Sequence, residues 1–560
     1  MIWPIPYRLR TSFTSMEPKQ PFMWSSRLRI RTNRYRTIKP LFFFSISRMT
    51  ALGPLVTAIP SPIQWKANQI IRKGRYNMTF KKLTAAAAGA CLALSLILSP
   101  AAMAADSAQA TSQASSDTDL INEVMQYVEK YNLTGADKDA LIRAAIDGMV
   151  DSLDDPYSQY FSSDESKELQ SQLALDYVGI GVQLVYAGNE LYIEQVMAGS
   201  PAESAGLKRG DTILKINGVK ISDIEGDTLS GKADTKVTLL IQRNGTSKTY
   251  TVKRSEIAYP SVTGKIVGPK IAYISLNGFT EDSDEEFAAV LKNMRASGMK
   301  SMILDLRNNG GGYMDSAYNI ASQFIDKGIM MYTADNTGVL TPVTITNGSK
   351  MDVPVIILTN EYTASASEAL TGALHDNELA TVVGTKTFGK ARIQSLLDLS
   401  DGGLLKLTTE RYLTPDKVDF NHIGLTPDIE IKDDAAQIIT ALQLAGMKSI
   451  EAAGDNHILD VNGFAFSGNV GLVKQGGSVY ASSRILSALV EGDLTWDAKN
   501  KKVIVAAGSG KSFGFSVSSK EALYQNGETY IALNAFKKKF PALAWSYNKT
   551  QNRLTVSVKS

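Results

Sequence analysis

Three side chains in one short stretch of the chain, Ser365, Lys390 and Gln394, have types that could together carry out acyl transfer. A serine hydroxyl is a weak nucleophile until a neighbouring base takes its proton, and a lysine can be that base once burial lowers its pKa. Ser365 follows an apolar run, 353–359, that predicts a buried strand, and precedes a pattern typical of a helix. The free N–H groups of a helix start would stabilise an oxyanion formed there.

Each of these residues also has an ordinary structural explanation. Ser365 and Glu368 have the spacing of a capping box, in which the two side chains satisfy the amides of a helix start. A single lysine is usually a solvated surface residue. His375 fails as an alternative base, because ten helical residues would separate it from Ser365 by about 15 Å. Taken singly, the structural interpretations are favoured, and the combination favours chemistry.

Further motifs accompany the serine and the lysine in a fixed order. They are Asp-Leu-Arg-Asn-Asn-Gly-Gly-Gly at 305–312, Ala-Ser-Ala-Ser-Glu at 364–368, Phe-Gly-Lys at 388–390, Arg-Tyr-Leu-Thr-Pro at 411–415 and Gly-Leu-Thr-Pro-Asp at 424–428. Over residues 117–446 the chain resembles the carboxyl-terminal processing (tail-specific) serine protease family. One departure is Ala391, where that family usually has glycine after the lysine.

The resemblance implies roles for particular residues. Ser365 would be the nucleophile, Lys390 the general base and Gln394 the residue that holds the amine by a hydrogen bond. The glycine-rich turn at 305–312 could also cradle a phosphate, but no P-loop lysine follows it, and an oxyanion hole is the better interpretation. The resemblance implies the amides of Gly311 and Ala366 as its donors. It implies no metal and no organic cofactor.

Residues 177–253 resemble a PDZ domain through three matched segments, at 177–182, 200–211 and 213–218. A PDZ domain binds a peptide C-terminus by capturing its carboxylate with loop amides while the peptide adds a strand to a sheet edge. We expect that loop at four consecutive residues, Gly179, Ile180, Gly181 and Val182. The alternative is a small β-rich domain whose glycines only make turns.

The front of the chain carries an export pattern. Residues 1–77 hold 14 basic residues against one acidic residue, so the net charge of +3 hides an acidic body and does not favour nucleic-acid binding. A basic segment, an apolar stretch and Ala-Met-Ala at 102–104 predict a signal peptide over 78–104, with 1–77 as upstream non-native sequence. We expect an extracytoplasmic protein, secreted or associated with the cell envelope. If 1–77 is translated and the signal is not cleaved, the apolar stretch could instead anchor the chain in a membrane.

Cysteine and histidine are scarce. The single cysteine, Cys91, lies inside the predicted signal, so the mature chain would have no disulfide, no thiol nucleophile and no cysteine metal ligand. The three histidines, His375, His422 and His457, are too scattered to predict a zinc site.

The last hundred residues contain an internal repeat. Gly477 and Trp496 in one half correspond to Gly527 and Trp545 in the other, and each half predicts strand, helix, strand, strand. The segment resembles the small repeat domain named after the N-terminal stalk of copper amine oxidase, which is common in exported proteins of Gram-positive bacteria. The name implies no copper here. We expect an accessory domain that binds a surface or a partner.

The sequence therefore predicts a multidomain α/β and α+β protein. Its segments are the upstream sequence 1–77, the signal peptide 78–104, a linker 105–116, an N-terminal helical region 117–172 with helices at 118–131 and 137–153, a PDZ domain 173–256, a Ser-Lys protease core 257–446 and a tandem repeat 456–560. The helices would form a hairpin that mediates a homodimer or only packs locally.

Three functions remain in view from the sequence. We expect an exported serine endopeptidase that recognises proteins or peptides with free, apolar C-termini. The alternative is a catalytically silent protein of the same fold that binds peptides or envelope components. A serine acyl transferase for small substrates is disfavoured, since it would not explain a PDZ domain.

Overall fold

The computed structural model describes residues 117–559, apart from 188–189 and 225. The predicted upstream segment, signal peptide and linker, with Cys91, lie outside the described residues. The chain from residue 131 onward belongs to one compact unit. A helix over residues 117–131 (α1) lies almost entirely in a second unit and is described by itself. Within the described ranges, no helix has both the length and the apolar character needed to cross a membrane.

The N-terminal part of the compact unit is helical, as expected. Its elements are helix α2 (Lys138–Asp151), strand β1 (Gln159–Phe161) and helix α3 (Ser163–Leu173). Asp137 caps α2, because its carboxylate accepts a 2.9 Å hydrogen bond from the amide of Ala140. The two predicted helices are therefore confirmed as elements. Their packing as a hairpin, and a dimer through them, stay predictions.

The PDZ-like region is an antiparallel sheet. Its elements are β2 (Asp176–Gly179), β3 (Val182–Ala187), β4 (Glu190–Val196), α4 (Pro201–Ser204), β5 (Thr212–Ile216), β6 (Val219–Lys220), β7 (Lys236–Arg243), β8 (Thr246–Lys253) and β9 (Ser255–Ala258). The main sheet has the order β3-β4-β5-β7-β8, so β3 lies at its edge. Between β6 and β7 the described residues form a short 3₁₀ turn and an extended segment. Buried Arg254 holds that segment by donating to the carbonyl groups of Thr228 and Leu229.

The protease-like core is built on a six-stranded sheet. Its elements are β10 (Val262–Val267), β11 (Ile271–Leu276), α5 (Ser283–Ala296), β12 (Ser301–Asp305), α6 (Met314–Ala321), β13 (Gly328–Ala334), β14 (Thr341–Ile345), β15 (Val355–Thr359), α7 (Ala366–Asp376), β16 (Ala380–Gly384), β17 (Arg392–Asp398), β18 (Leu404–Leu413), β19 (Ile429–Glu430) and α8 (Asp434–Leu444). The sheet order is β10-β11-β12-β15-β16-β19, and all neighbours except β10 and β11 are parallel. Strands β10 and β11 form an antiparallel hairpin, with Gly268 at positive φ between them.

The parallel pairing brings the candidate residues to one edge of this sheet. Strands β12 and β15 are adjacent and buried at every residue, and their pairing ends at Asp305 and Leu358. The glycine-rich turn follows β12, and the segment with Ser365 follows β15. Ligand and catalytic sites of open α/β sheets form beyond these carboxyl ends. The topology therefore explains why two motifs distant in sequence meet.

A second, five-stranded sheet supports the lysine. Strand β18 pairs with β1 and β17, and further along with β13, which pairs with β14. Lys390 lies two residues before the start of β17, and Gln394 lies within this strand, next to an irregularity in the register between Ile393 and Gln394. Strand β1 reaches this sheet directly after α2. The N-terminal region therefore contributes backbone to the surroundings of the candidate site.

The tail packs directly against the protease-like core. Its elements are β20 (Ser449–Gly454), β21 (Leu459–Val461), β22 (Phe464–Phe466), β23 (Val473–Gln475), β24 (Ser478–Ser482), α9 (Ser483–Leu489), β25 (Asp493–Asp497), β26 (Lys502–Ala506), β27 (Ser512–Ser516), β28 (Ala522–Gln525), β29 (Glu528–Ala532), α10 (Leu533–Lys539), β30 (Leu543–Asn548) and β31 (Arg553–Lys559). Strands β24 and β29 each start the predicted order strand, helix, strand, strand. Strand β20, which precedes the predicted boundary at residue 456, pairs with β31 at the end of the tail. The boundary itself stays a prediction.

Two kinds of contact hold the tail in place. One apolar cluster runs from Ile303 and Leu358 of the core sheet to Phe536 of the tail. Polar contacts join the tail to the PDZ-like region. The Arg209 guanidinium donates to the carboxylate of Asp460 (2.9 Å) and to the carbonyl groups of Leu459 (2.9 Å) and Phe466 (2.5 Å), and a ring nitrogen of His457 lies 2.9 Å from a Glu190 carboxylate oxygen. The PDZ-like region is thus attached to the tail mainly by polar groups.

Candidate active site

Ser365 lies in a tight turn between β15 and α7. Its φ and ψ angles are 58° and −118°, a conformation that residues other than glycine rarely adopt. Such backbone strain costs about 1–3 kcal/mol and persists only where the surroundings enforce it. Here the Thr363 hydroxyl donates to the carbonyl of Leu306 (2.8 Å), and the Ala364 amide donates to the carbonyl of Asn309 (3.0 Å). The segment after β12 therefore holds the serine turn in its strained form.

Gly311 contacts the serine directly. It has a φ of 98°, and a Cβ atom there would lie 2.8 Å from the carbonyl oxygen of Ala364 and from the Cβ of Ser365. Only glycine fits this position. The Gly311 amide, however, donates a 2.9 Å hydrogen bond to Oδ1 of buried Asn309. In this arrangement the Gly311 N–H is occupied by that side chain, and its role as an oxyanion donor stays a prediction.

Asn309 was not singled out in the sequence, although it organises this turn. Its side chain is fully buried, and its Nδ2 donates to the carbonyl of Leu276 (2.7 Å) while its Oδ1 accepts from Gly311. Its own carbonyl accepts from the Ala364 amide and from the Ser367 hydroxyl (3.0 Å). The Asn309 side chain thus connects the glycine-rich turn to the core sheet, and its backbone carbonyl connects that turn to the serine turn. The motif at 305–312 contained the signal, but no spacing rule identifies its role.

Glu368 joins the serine turn to the lysine loop. Its Oε2 accepts hydrogen bonds from the amides of Ser365 (2.9 Å) and Lys390 (2.8 Å), and its Oε1 accepts from the Thr387 hydroxyl (2.5 Å) and the Gly389 amide (2.7 Å). Because one oxygen binds both, the backbone nitrogens of residues 365 and 390 lie within about 6 Å of each other. Burial raises the pKa of this carboxyl, and the four hydrogen bonds oppose that effect. The half of the capping box made by Glu368 is therefore formed, and this residue also positions the lysine.

Lys390 is buried, with 3% of its surface exposed. Its pKa is lowered, chiefly because burial penalises the ammonium form; the carboxylates of Glu368 and Asp155 oppose this. Its Nζ lies 5.2 Å from the ring centroid of Tyr157. The hydroxyl of Tyr412, a fully buried residue, donates a shared hydrogen bond to the carbonyls of Ser365 (2.9 Å) and Lys390 (2.7 Å). The structure thus brings Ser365 and Lys390 together through two buried side chains.

Gln394 and Ala391 flank the start of β17. The Gln394 amide donates to the Thr408 hydroxyl (3.1 Å), and among the hydrogen bonds of the described residues none joins Gln394 to Lys390. Its orienting role stays a prediction. Ala391, at the departure from the family pattern, is fully buried, and its amide donates to Oδ1 of Asn421 (3.1 Å). The Ala391 side chain therefore lies in the protein interior.

The predicted carboxylate loop, Gly179 to Val182, connects β2 and β3. Ile180 is buried, and Gly181 has a φ of 80°; a Cβ atom there would lie 2.3 Å from the Cβ of Ser200. The loop leads into β3, the edge strand. Among the described strands, β3 has a neighbour in this sheet on one side only, and such an open edge is the feature that strand addition by a peptide requires.

The remaining titratable candidates lie elsewhere. Both ring nitrogens of His375 contact carboxylates, of Asp376 (2.9 Å) and Asp428 (3.1 Å), at the far end of α7 from Ser365. Among the described residues, no group of three or more histidine, cysteine, aspartate or glutamate side chains is arranged to hold a metal ion.

Comparison with known proteins adds to this geometry. A family model described as peptidase family S41 matches residues 270–431, which include Ser365, Lys390 and Gln394. A "Probable CtpA-like serine protease" of Staphylococcus saprophyticus is 35% identical over 332 residues, which cover 58% of this chain and 67% of that protein. The chain belongs to peptidase family S41.

Further matches extend the S41 assignment along the chain. A PDZ domain model matches residues 192–243, which begin after the predicted carboxylate loop, and a model described as the activating protease CtpB N-terminal domain matches 83–165. A "Probable CtpA-like serine protease" of Staphylococcus aureus strain N315 is 38% identical over 313 residues, 55% of this chain and 63% of that protein. This S41 chain thus spans less than two thirds of the length of the S. aureus relatives.

Solved structures are also similar to this chain. The photosystem II D1 C-terminal processing protease is 29% identical, with a TM-score of 0.39, over 55% of this chain and 85% of that chain. A putative S41 protease from Bacteroides fragilis NCTC 9343 is 20% identical, with a TM-score of 0.43, over 57% of this chain and 92% of that chain.

Proposed function

We propose that this S41 chain is an exported serine endopeptidase of the C-terminal processing type. Ser365 is the nucleophile, Lys390 the general base, and the PDZ region selects substrates by a free C-terminus. The observation that carries the proposal is the pair of hydrogen bonds from the Ser365 and Lys390 amides to one buried oxygen of Glu368. A strained serine at a helix start and a buried lysine of lowered pKa are thereby held side by side.

The chemistry follows from this arrangement. Neutral Lys390 takes the proton of the Ser365 hydroxyl as Oγ forms a bond to the scissile carbonyl carbon. The resulting oxyanion accepts a hydrogen bond from the amide of Ala366, which lies in the first turn of α7, where N–H groups have no intrahelical partner. Collapse of this intermediate expels the amine, which takes the proton from the Lys390 ammonium. Lys390 then removes a proton from a water whose oxygen bonds to the acyl carbon. As the bond from that carbon to Oγ breaks, the Lys390 ammonium returns the proton to Oγ, and Ser365 is restored.

Gln394 has a supporting role in this proposal. It lies four residues after Lys390 on β17, with its amide nitrogen fixed by the Thr408 hydroxyl. A rearrangement of the Lys390 side chain on substrate binding would let its neutral amine donate a hydrogen bond to the carbonyl oxygen of this fixed amide. Catalytic hydrogen bonds often form only in the substrate complex.

The PDZ region supplies substrate recognition. Loop amides between Gly179 and Val182 would bind the terminal carboxylate, and the substrate would add a strand along β3. The edge position of β3 supports this. The tail would bind a cell-surface partner, the N-terminal helices would form a homodimer, and the mature protein would be secreted or remain with the envelope of a Gram-positive cell.

The test uses the full chain and two unstructured polypeptides with the same apolar C-terminal residues, one with a free carboxylate and one amidated. Products are identified by mass spectrometry for wild type, Ser365→Ala and Lys390→Ala, with Lys386→Ala, an exposed lysine of the same loop, as the matched control. We expect cleavage of the free-ended substrate by wild type and the control only. Cleavage that survives Ser365→Ala contradicts the site. Binding of the free tail without cleavage between neutral and alkaline pH supports a binding protein instead.

A further inference from the structure

A short segment of the N-terminal region, residues 155–158, covers the candidate base. It lies between α2 and β1, and its Tyr157 is buried, with 7% of its surface exposed. The centroid of the Tyr157 ring lies 5.2 Å from Nζ of Lys390. The face of an aromatic ring is apolar, so it keeps water from the side of the amine that it covers. The N-terminal region therefore supplies part of the wall around Lys390.

Hydrogen bonds fix the backbone of this segment on both sides of the ring. The Tyr157 amide donates to the Asp155 carboxylate (3.3 Å), which also accepts from the Ser158 hydroxyl (2.5 Å). The same hydroxyl accepts from the Thr408 amide of β18 (3.0 Å), and strand β1, which starts at the next residue, pairs with β18. The position of the ring over Lys390 therefore does not depend on apolar packing alone.

Thr408 connects the segment to a second predicted site residue. Its hydroxyl accepts a 3.1 Å hydrogen bond from the Gln394 side-chain amide, while its backbone amide donates to Ser158. Thr408 and Gln394 are also partners in the register of β17 and β18. Hydrogen bonds between successive residues thus lead from Asp155 to Gln394. One segment outside the protease-like core therefore reaches the surroundings of both Lys390 and Gln394.

Four elements place ionisable groups around the covered amine. They are the segment itself with Asp155, α7 with Glu368, β17 with Arg392, and β18 with Lys406 and Tyr412. Burial is the main cause of the lowered pKa of Lys390, and the two carboxylates oppose it. The Tyr157 ring is part of that burial, because it lies against the amine. Removing the ring would therefore expose the amine to water and favour its ammonium form.

We propose that Tyr157 is a positioning residue for the general base: its ring, held in place by the 155–158 segment, covers the Lys390 amine and keeps water from it. The inference rests on the proposed function, because it assigns Lys390 the role of base. Tyr157 itself transfers no proton and forms no bond to the substrate. The N-terminal region, predicted from the sequence to pack locally or to form a dimer, thereby contributes to the active site.

The first test compares pH profiles of kcat/KM for the full chain, with a quenched fluorescent peptide that has a free, apolar C-terminus. In Tyr157→Ala water reaches the amine, the pKa of Lys390 rises, and the acid limb moves up by about one pH unit. Below that limb activity falls about tenfold. Attraction of the ammonium to the ring face acts in the opposite direction, but burial shifts the pKa of a lysine by more.

Two outcomes of this comparison overturn the proposal. A lower plateau with an unmoved limb indicates lost packing only, and a limb that moves to lower pH means that the ring stabilises the ammonium. Tyr157→Phe keeps the ring and should keep the limb in place; a limb that moves as far as in Tyr157→Ala would assign the effect to the hydroxyl. The matched control is Tyr524→Ala, at an exposed tyrosine of the tail, which should behave as wild type.

A milder change provides a second variant if Tyr157→Ala does not fold. Ser158→Ala removes the hydroxyl that joins Thr408 to Asp155, so the ring stays but its segment loosens. The acid limb should move up by about half a pH unit, which is about a threefold loss of activity below it. Ser152→Ala, at an exposed serine of the same region, should leave the limb in place. An unmoved limb in Ser158→Ala contradicts the role given to the segment.

A direct titration separates this proposal from the proposed function. NMR of the full chain carrying lysine labelled with ¹³C at Cε, in a Ser365→Ala background, reports the pKa of Lys390 without any turnover. We expect it to rise by about one unit on Tyr157→Ala and to stay unchanged on Tyr157→Phe. If wild type does not hydrolyse peptides but this shift is seen, only the proposed function fails. If wild type cleaves and the pKa of Lys390 does not change, only the role of Tyr157 is overturned.

Discussion

Replacing Glu368 with glutamine removes one acceptor oxygen from the junction between nucleophile and base. The carboxylate accepts four hydrogen bonds, two on each oxygen. In the variant the new NH₂ group must face either Thr387 and Gly389 or Ser365 and Lys390. At least one backbone N–H then loses its acceptor and meets another donor.

The size of the effect follows from this count. A hydrogen bond to a charged group contributes about 1.5–3 kcal/mol, and a buried donor left unpaired has a similar cost. We therefore expect Glu368→Gln to lose about 2–4 kcal/mol of stabilisation in the catalytic geometry. Since 1.36 kcal/mol corresponds to a factor of ten, kcat/KM should fall about 100-fold.

The assay measures initial rates on a quenched fluorescent peptide with a free, apolar C-terminus, and the unfolding temperature of each variant. Glu378→Gln, at an exposed position just beyond the end of the same helix, is the matched control and should behave as wild type. If Glu368→Gln keeps the kcat/KM of wild type, the carboxylate does not position the two residues. A lower unfolding temperature with unchanged kcat/KM would refute the positioning role equally, because it indicates a structural role only.

Three further predictions concern strain, close approach and domain attachment. Ser365→Gly and Ser365→Ala should both be inactive. The free energy of unfolding of the glycine variant should be about 1 kcal/mol higher than that of the alanine variant, since glycine accepts a φ of 58° without strain. Equal stability of the two variants in chemical denaturation would argue against that strain. Gly311→Ala should cost about 1–3 kcal/mol and most of the activity, because its Cβ would overlap the serine turn, whereas Gly310→Ala, which has open space, should be tolerated. Arg209→Ala should accelerate amide hydrogen exchange at the junction of the tail and the PDZ region. The control Lys208→Ala, at an exposed position, should not. Unchanged exchange in Arg209→Ala would mean that this arginine does not hold the junction.

The sequence was most informative where chemistry depends on residue type and order. The strand before Ser365, the helix after it and the glycine-rich turn were all predicted, because periodicity and turn residues are local signals. The repeated order of elements in the tail was predicted for the same reason. The pairing of β20 with β31 was not predicted, because it joins strands about 100 residues apart in the sequence and leaves no local signal.

The parts of the site that sequence reasoning missed are long-range contacts of buried polar groups. Glu368 has the spacing of a helix cap, and nothing local shows that the loop at 387–390 returns to the same carboxylate. The Gly311 amide was expected to be free, but the side chain of Asn309 occupies it.

Activation of Ser365 by Lys390 is the central claim, and covalent labelling tests it most directly. The full chain is treated with a fluorophosphonate, a reagent that phosphonylates activated serines, and the adduct is mapped by mass spectrometry from neutral to alkaline pH. We predict one adduct, at Ser365, which forms faster as Lys390 loses its proton and at least about 10³-fold more slowly in Lys390→Ala. An adduct at another serine, or labelling of Ser365 at the wild-type rate without Lys390, would contradict the account.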